Sequence, residues 1–449
     1  MMASQKHQED ETNNDTKTYR RMAVPPCLIL SRSDVVSLPN MMKLYRREDY
    51  LQKIRGFYHD TDIIKVITGV RRCGKSCLME TISLELKENG VRDENIIYLN
   101  LDKRGFRKIK TADQLDALIE ERSAAEGTKY LFIDEIQNVN GFEEVINGYR
   151  EEEDYSIFIT GSNSYLLSGE LATKLTGRYL EFEVFTLSFS EYLGMKTFLK
   201  KPVSPDLTAE FDLYLTEGGF PKALSYEGAD KQVYIRGVIK EIFEKDIRKR
   251  VKVRKVSVFE TVQRYIINNF GATMSLTNIL VDLKKNGCPI RRETLNRYIH
   301  ILEEAKIIYP CERFDLKSRK SISGEQKYYL ADLGFYFALN TDKRINYGPA
   351  LENIVYTYAR SKGYNISVGR IGKLECDFIL ERNNTDYSYI QVAMTIMNSI
   401  DTEDREYRPL ESIKDNYPKY VITRNDLIQH RSGIVHVNIA QFMKENQLF

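Results

Sequence analysis

One eight-residue segment has the residue types and the spacing of a phosphate-binding loop. Gly69-Val70-Arg71-Arg72-Cys73-Gly74-Lys75-Ser76 fits the pattern G-x-x-x-x-G-K-[ST] at every fixed position. In this pattern the glycines let backbone N–H groups wrap phosphate oxygens, the lysine reaches the β- and γ-phosphates, and the hydroxyl binds Mg²⁺. We therefore expect ATP and Mg²⁺ as cofactors, with Ser76 as a metal ligand. The residues expected to line the nucleotide are Gly69, Val70, Arg71, Arg72, Cys73, Gly74, Lys75, Ser76 and Cys77.

A second segment supplies the carboxylates that such a loop needs. The apolar run Tyr130 to Ile133 ends in Asp134 and Glu135. Ligands of α/β proteins bind at the carboxyl ends of the parallel strands, so both acids are expected beside the loop. Asp134 is predicted to hold Mg²⁺, directly or through water, and Glu135 to polarise the attacking water. Glu135 and Lys75 are thus predicted catalytic residues of an ATP hydrolase.

Other polar positions near these motifs have two interpretations each. Ser162 and Asn163 follow an apolar strand, and Asn163 is predicted to sense the γ-phosphate, but a Ser or Asn there also serves as a helix cap. Arg178 could stabilise the transition state, in cis or across a subunit interface of a homo-oligomer, or could form a surface salt bridge. Arg71 and Arg72 could contact the nucleotide or a neighbouring acid.

The elements around the motifs predict an α/β fold. Short apolar runs alternate with helical segments, which is typical of buried strands in a parallel sheet. The phosphate-binding segment follows the first run directly and opens a helix, as its mechanism requires. The apolar runs lie at residues 63–68, 96–101, 130–133, 156–160 and 179–185.

Four segments together resemble one family of proteins. ITGVRRCGKS, LFIDEIQNV, GGFP and EKDI are similar to segments of the prokaryotic AAA-type ATPases that carry a C-terminal domain of unknown function, and the resemblance covers nearly the whole chain from about Leu44. The added strand between the first two motifs, and the glutamate after the aspartate, are typical of the ATPase branch of P-loop proteins.

The resemblance implies an α/β P-loop ATPase domain of the AAA type, then a helical winged-helix domain and an α+β domain similar to restriction endonucleases. The expected boundaries follow the changes of pattern along the chain. They give a disordered leader (1–40), the ATPase domain (41–195), a helical linker or lid (196–255), the winged-helix domain (256–340) and the endonuclease-like domain (341–449).

The winged-helix segment has features of a DNA-binding surface. Residues 275–283 and 291–305 predict the two helices of a helix-turn-helix, and residues 314–329, centred on Ser323-Gly324, predict the wing. A strip at residues 248–255 has six basic residues in eight. Winged helices also act as lids or protein-binding modules, so DNA and a protein partner both stay open. The predicted DNA contacts are Arg291, Arg292, Arg297, Lys252 and Arg254.

The C-terminal segment looks like an endonuclease site that has lost part of its chemistry. Glu352 and Asp377 match the first two acids of such a site, but Gln391 stands where the last acid is expected and Ala393 where the lysine is expected. Losing an anionic ligand weakens Mg²⁺ binding, and losing the lysine removes a charge that could stabilise the attack. We therefore predict an inactive nuclease fold, with an ATP-gated nuclease as the less favoured alternative.

The bulk composition narrows the remaining choices. The 449 residues suggest about three domains, and the net charge of +2 neither demands nor excludes nucleic acid as a partner. No apolar run approaches the roughly 20 residues of a membrane span, and the six scattered cysteines suit a cytoplasmic protein. We predict an ATPase whose nucleotide state controls a module that binds DNA or a protein. The alternative is a slow regulatory or defence switch acting on a protein partner.

Overall fold

The computed structural model describes residues 44–161, 175, 177–248, 253, 255–340, 344, 346–383 and 385–449. Two sheets organise this part of the chain, one of five strands and one of nine. A helical segment lies between them in sequence. Among the helices within these ranges, none combines the length and the apolar composition needed to cross a bilayer.

The five-stranded sheet is parallel throughout, with strand order β2-β3-β4-β1-β5. Its central strands β1 and β4 are buried along their whole length, which explains why they read as continuous apolar runs. The predicted α/β fold with a parallel sheet is confirmed here. The strands are β1 (Ile64–Thr68), β2 (Ile96–Asn100), β3 (Lys129–Asp134), β4 (Tyr155–Thr160) and β5 (Tyr179–Glu183).

Helices cover both faces of this sheet. On one face Phe132 and Phe158 stack with ring centroids 4.7 Å apart and join a core that contains the apolar residues of α1 and α2. On the other face Ile133 and Ile159 share a second core with α3 and α4. The four helices are α1 (Glu48–Arg55), α2 (Lys75–Glu88), α3 (Ala112–Glu121) and α4 (Phe142–Glu151).

A helical segment follows the parallel sheet, and the sequence GGFP turns the chain within it. Gly218 has φ 74°, and a Cβ at Gly219 would lie 2.4 Å from the carbonyl oxygen of Leu187. The backbone N–H of Gly219 also donates to the buried carboxylate of Asp332 at 2.7 Å. The helices are α5 (Phe189–Phe198), α6 (Leu207–Glu217), α7 (Gly228–Glu241), a π-helix (Ile242–Ile247) and α8 (Val256–Asn268).

The two predicted helices of the helix-turn-helix are present as α9 and α10, but the predicted centre of the hairpin is wrong. The turn between β7 and β8 lies at residues 316–319, and the strand register shifts by three residues between Glu312 and Arg313. Gly324, with φ 101°, therefore lies in a bulge of β8. The elements are β6 (Thr273–Met274), α9 (Leu276–Lys285), α10 (Arg292–Glu304), β7 (Ile308–Asp315) and β8 (Lys320–Leu330).

The nine-stranded sheet runs across the boundary expected at residue 340. Strand β7 pairs in parallel with β9, with Arg313 opposite Val368, so the hairpin and the C-terminal strands form one sheet in the order β13-β14-β12-β11-β10-β9-β7-β8-β6. The helices that accompany it are α11 (Gly334–Leu339), α12 (Tyr347–Ser361), α13 (Ile400–Ser412) and α14 (Ile439–Lys444). The further strands are β9 (Asn365–Ile371), β10 (Leu374–Arg382), β11 (Asp386–Val392), β12 (Lys419–Thr423), β13 (His430–Arg431) and β14 (Ile434–Asn438).

The close approach at Gly219 gives a direct test of the fold. Replacement Gly219→Ala places a methyl group against the Leu187 backbone, which cannot rotate away as a side chain would. We expect the free energy of unfolding to fall by about 1–3 kcal/mol. The control is Gly237→Ala, in the middle of α7 with open space around it, which should leave the melting temperature equal or higher. Equal melting temperatures for wild type and Gly219→Ala would contradict the tight packing.

Candidate functional site

The phosphate-binding segment forms the connection between β1 and α2. Strand β1 ends at Thr68 and α2 begins at Lys75. Gly69 has φ 137°, and a Cβ there would lie 2.1 Å from the carbonyl oxygen of Val184. Gly74, with φ 112°, caps the helix in the left-handed region. Both positions therefore require glycine, and the loop leads the chain into a helix N-terminus that favours anions.

Lys75 and Ser76 lie at the start of α2, where the sequence predicts phosphate and metal contacts. The Lys75 side chain is buried, and its Nζ donates to the carbonyl oxygens of Gly69 at 2.9 Å and Val70 at 3.2 Å. These two carbonyls hold the ammonium at the loop. Ser76 is half-buried, and Tyr98 donates to its carbonyl oxygen at 3.4 Å.

Asp134 ends β3 at the same edge of the sheet. Its carboxylate is buried, and it accepts hydrogen bonds from Thr160 Oγ1 at 2.5 Å and from Asn100 Nδ2 at 2.7 Å. Both donors are neutral, so they orient the carboxylate without supplying a positive charge. A carboxylate and a hydroxyl are hard oxygen donors of the kind that Mg²⁺ prefers, so Asp134 and Ser76 fit this ion.

Glu135 follows in a strained backbone conformation that turns it away from the strand. Its φ is 61°, and its N–H donates to Thr160 Oγ1 at 3.1 Å. Gln137 Nε2 donates to its carboxylate, and Arg71 NH2 lies 3.6 Å from Oε2. Burial raises the pKa of Glu135, while the charges of Arg71 and Lys75 oppose that rise. Glu135 is thus a strained, largely buried carboxylate beside the phosphate-binding loop, and its role as the base stays a prediction.

The two loop arginines bind acids on one neighbouring helical segment. Arg71 makes a bidentate ion pair with Asp246, with both N–O distances at 2.8 Å, and both side chains are buried. Arg72 makes a more exposed bidentate pair with Glu241 at 3.0 and 3.1 Å. The structure thus shows the neighbouring-acid alternative for both arginines. Asp246 belongs to the segment EKDI, which was the sequence signal for this contact.

A second buried arginine, Arg47, also supports the loop. Its guanidinium donates to the carbonyl oxygens of Cys73 at 3.1 Å and Phe185 at 2.8 Å. It also pairs with Glu191 at 2.8 and 2.6 Å. No local sequence pattern links Arg47, Asn100 or Thr160 to the loop, so their contacts at the site were not predicted from the sequence.

Arg178 lies far from the loop in this chain. It immediately precedes β5, and its carbonyl oxygen accepts from the N–H of Ile64 at the amino end of β1. The length of β1 separates this position from Gly69, about 15 Å for five residues. Arg178 NH1 donates to Asn147 at 3.0 Å and lies 3.4 Å from Glu151. The predicted role in cis is therefore wrong, and a role across a subunit interface stays a prediction.

Several predicted site residues lie outside the described residues. These are Ser162 and Asn163 after β4, and Lys252 and Arg254 in the basic strip. Their roles stay predictions.

The exposed face of α10 carries the remaining predicted DNA contacts. Arg291, Arg292 and Arg297 are all exposed, together with Asn296. The opposite face packs into the core through Leu295, Tyr298, Ile299 and Leu302. The apolar inner face of α10 is therefore present, and the predicted arginines lie on an exposed polar side that also carries Glu293.

A lysine from the hairpin reaches the first acid of the endonuclease-like cluster. Lys327 Nζ lies 3.0 Å from Glu352 and 3.1 Å from Glu375, and Tyr329 donates to Glu352 at 2.8 Å. Burial lowers the pKa of Lys327, but the neighbouring carboxylates, led by Glu352, raise it above its usual value. The ammonium is thus charged at neutral pH and pairs directly with Glu352.

The other members of the cluster are held by hydrogen bonds. Asp377 accepts from the N–H of Val392 at 2.8 Å, and Gln391 donates to Glu406 at 2.9 Å. Burial first, and repulsion from neighbouring carboxylates second, raise the pKa of Asp377 well above its usual range. Ala393 is buried and adds no charge. No group of three or more His, Cys, Asp or Glu side chains suited to a metal ion occurs within the described residues.

Comparison with known proteins gives matches over most of the chain. Residues 61–193 match an AAA domain, and residues 208–345 match a domain of unknown function. An uncharacterized protein of Haemophilus influenzae is 35% identical over 379 residues, which cover 84% of this chain and 92% of that protein. An uncharacterized protein of Methanocaldococcus jannaschii is 32% identical over 379 residues, with coverages of 81% and 82%.

Among solved structures, the matches are weak. The Aeropyrum pernix ORC1 protein in complex with DNA is 16% identical, with a TM-score of 0.29 over 68% of this chain and 94% of that chain. AMPPCP-bound DnaA from Aquifex aeolicus is 15% identical, with a TM-score of 0.28 over 57% and 87%. At such scores neither likeness carries an argument about this chain.

The Lys327 contacts give a testable prediction for the endonuclease-like cluster. Replacement Lys327→Met keeps the length of the side chain and leaves the half-buried carboxylate of Glu352 and the buried carboxylate of Asp377 without the ammonium. We expect a loss of about 3 kcal/mol in the free energy of unfolding near pH 7. The loss should shrink toward pH 5 as carboxylates take up protons.

Thermal unfolding at both pH values measures this effect, with the exposed Lys320→Met on the same strand as the control. An equal, pH-independent effect of the two replacements would contradict the role of Lys327.

Proposed function

The chain contains an AAA domain and belongs to the same family as the Haemophilus influenzae and Methanocaldococcus jannaschii proteins. We propose that it binds ATP with Mg²⁺ and hydrolyses it. The observation that carries the proposal is the meeting of three predicted elements at one edge of the parallel sheet. Lys75 is held on the loop carbonyls, while Asp134 and Glu135 end the next-but-one strand, β3. The Thr160 hydroxyl donates to the Asp134 carboxylate and accepts from the backbone N–H of Glu135, which ties the two residues to the end of β4.

Each residue then has one task in the reaction. The loop N–H groups and Lys75 bind the phosphates, and Ser76 and Asp134 hold the Mg²⁺, which neutralises charge on the phosphate oxygens when bound. Glu135 orients a water molecule and accepts its proton as the water oxygen attacks the γ-phosphorus. The bond between the γ-phosphorus and the ADP oxygen breaks, and ADP and phosphate leave.

The nucleotide site is connected to the rest of the chain through ion pairs. Arg71 and Arg72 pair with acids of α7 and the π-helix, which lead toward α8 and the winged-helix segment. On the other side, Glu183 of β5 accepts hydrogen bonds from Lys306 and Arg360. These contacts support a protein in which nucleotide state alters the position of α10 and the nine-stranded sheet.

We propose double-stranded DNA as the partner of this module. The support is the exposed face of α10, where Arg291, Arg292 and Arg297 stand on the side opposite the core. A recognition helix contacts the major groove through such a face. A protein partner, as in a slow regulatory switch, is the second candidate, because the acidic Glu303 and Glu304 follow on the same helix. Nuclease activity is disfavoured by Lys327 beside Glu352 and by Ala393.

Replacement of the predicted base should separate ATP binding from turnover. Glu135→Gln keeps the size of the side chain but removes its ability to accept a proton, so we expect tight ATP binding with turnover reduced about 10²–10⁴-fold. Lys75→Ala should instead weaken binding, because it removes a charge that contacts the phosphates. Phosphate release and equilibrium binding of a fluorescent ATP analogue separate the two effects. Equal turnover by wild type and Glu135→Gln would remove Glu135 from the mechanism.

Replacement of an exposed arginine of α10 tests the proposed contact with DNA. Arg297→Ala should weaken binding of a duplex and reduce the slope of log affinity against log salt by about one, if the side chain contacts a phosphate. Arg107→Ala removes the same charge from an exposed site after β2 and serves as the control. Fluorescence anisotropy between 50 and 200 mM salt, about the range over which phosphate contacts change affinity most visibly, measures both slopes. Identical behaviour of the two variants would favour the protein partner.

A further inference from the structure

The loop arginine Arg71 lies close both to Lys75 in sequence and to the predicted base Glu135 in space. Lys75 Nζ is held by the carbonyls of Gly69 and Val70, the two residues that precede Arg71. The side chain of Arg71 also approaches the predicted base, with NH2 3.6 Å from the carboxylate of Glu135. A phosphoryl group bound by Lys75 and attacked by water on Glu135 has to lie between these two side chains, next to the Arg71 guanidinium.

We propose that Arg71 is a catalytic residue that stabilises the transferred phosphoryl group in cis, and that Asp246 is the positioning residue that holds it there. The inference rests on the proposed ATP hydrolysis and adds two residues to it. In the transition state negative charge spreads over the equatorial phosphoryl oxygens. A planar guanidinium carries its positive charge on several N–H groups and can face two of these oxygens at once. Arg71 stays protonated throughout, and the proton of water still goes to Glu135.

The geometry of the ion pair favours a fixed arginine over one that swings between partners. Asp246 binds Arg71 side-on, through Nε and one terminal nitrogen, and its side chain is 1% exposed. Moving Arg71 away would break two hydrogen bonds to a deeply buried carboxylate, which is costly. The terminal nitrogen shared with Asp246, NH2, lies 3.6 Å from Glu135, and NH1 lies 3.9 Å from Glu241. Asp246 therefore fixes the plane of the guanidinium next to Glu135.

The helical segment that carries Asp246 has an unusual geometry. Residues Ile242–Ile247 form a π-helix, in which the N–H of Arg248 donates to the carbonyl of Phe243 at 2.8 Å, five residues earlier. A π-helical turn inserts one extra residue and rotates the side chains that follow it, and such turns are frequent at functional sites. Here the turn follows α7 directly and presents Asp246 to the loop. The rate of hydrolysis then depends on how this segment packs on the loop.

The location of Arg178 adds to this assignment. In this chain Arg178 lies at the amino end of the sheet, bound to Asn147 and Glu151. Arg71, by contrast, contacts the predicted base within the same chain. A single protomer therefore carries an arginine in place for the reaction, without a residue from a second subunit.

The experiment measures kcat, KM and ATP affinity of the full chain with three replacements. Arg71→Lys keeps the charge and loses the planar fork, Asp246→Asn loosens the pair, and Glu244→Gln is the control, an exposed acid two residues from Asp246. We expect kcat to fall about 10²–10³-fold for Arg71→Lys, as for loss of a transition-state donor. For Asp246→Asn we expect about 10²-fold from misplacement, and KM should change less than about tenfold in both. Glu244→Gln should retain the wild-type kcat.

A further variant tests whether Asp246 acts through Arg71. The pair Arg71→Met with Asp246→Leu replaces the buried ion pair by apolar side chains, a change that folded proteins tolerate. Its kcat should equal that of Arg71→Met alone, because Asp246 has nothing left to position. Melting temperatures and binding of a fluorescent ATP analogue verify that the fold and the nucleotide site persist.

The possible outcomes separate the inference from the proposed function. An inactive wild-type protein would overturn the ATPase itself. An active wild type with unchanged kcat in Arg71→Lys, or with the whole effect in KM, would overturn the role of Arg71 alone. A kcat of the double variant well below that of Arg71→Met alone would show that Asp246 acts independently and would overturn its positioning role.

Discussion

Two buried arginine–carboxylate pairs hold the phosphate-binding loop, and the rest of the site depends on them. The Arg47–Glu191 pair holds the loop through the carbonyl oxygen of Cys73. The Arg71–Asp246 pair holds it through the side chain of Arg71. Charges buried this deeply stabilise a structure only when both partners are present and well oriented. The first pair joins the loop to α5 and the second joins it to the π-helix, and both elements follow the parallel sheet in the chain. A change in the shape of the loop therefore disturbs α5 and the π-helix, and a movement of either element affects the loop.

The parts of the site that the sequence predicted are those in which neighbours in sequence are neighbours in space. The loop, the start of α2 and the acids after β3 follow local patterns of glycine, charge and apolar runs. Arg47, Asn100 and Thr160 had no such pattern. Arg47 and Glu191 are 144 residues apart, and Arg71 and Asp246 are 175 apart. Such pairings arise from packing, which composition and periodicity do not encode.

The incorrect predictions have physical reasons of the same kind. Gly324 reads as the centre of a turn, because glycine marks both turns and bulges, but the register of β7 against β8 puts it in a bulge. The boundary at residue 340, which followed a change of local pattern, stays a prediction, although the nine-stranded sheet continues across it through the pairing of β7 with β9. Arg178 precedes β5, which begins at the end of the sheet opposite the loop.

The central claim is that Lys75, Asp134, Glu135 and Arg71 surround the γ-phosphate of bound ATP. A crystal structure of Glu135→Gln with ATP and Mg²⁺ tests it most directly. We expect Lys75 Nζ to leave the carbonyls of Gly69 and Val70 and to contact the phosphates at about 2.7–2.9 Å, with Arg71 beside the γ-phosphate and still bound to Asp246. Nucleotide bound elsewhere, or a Lys75 side chain still on those carbonyls with ATP in the loop, would contradict the claim.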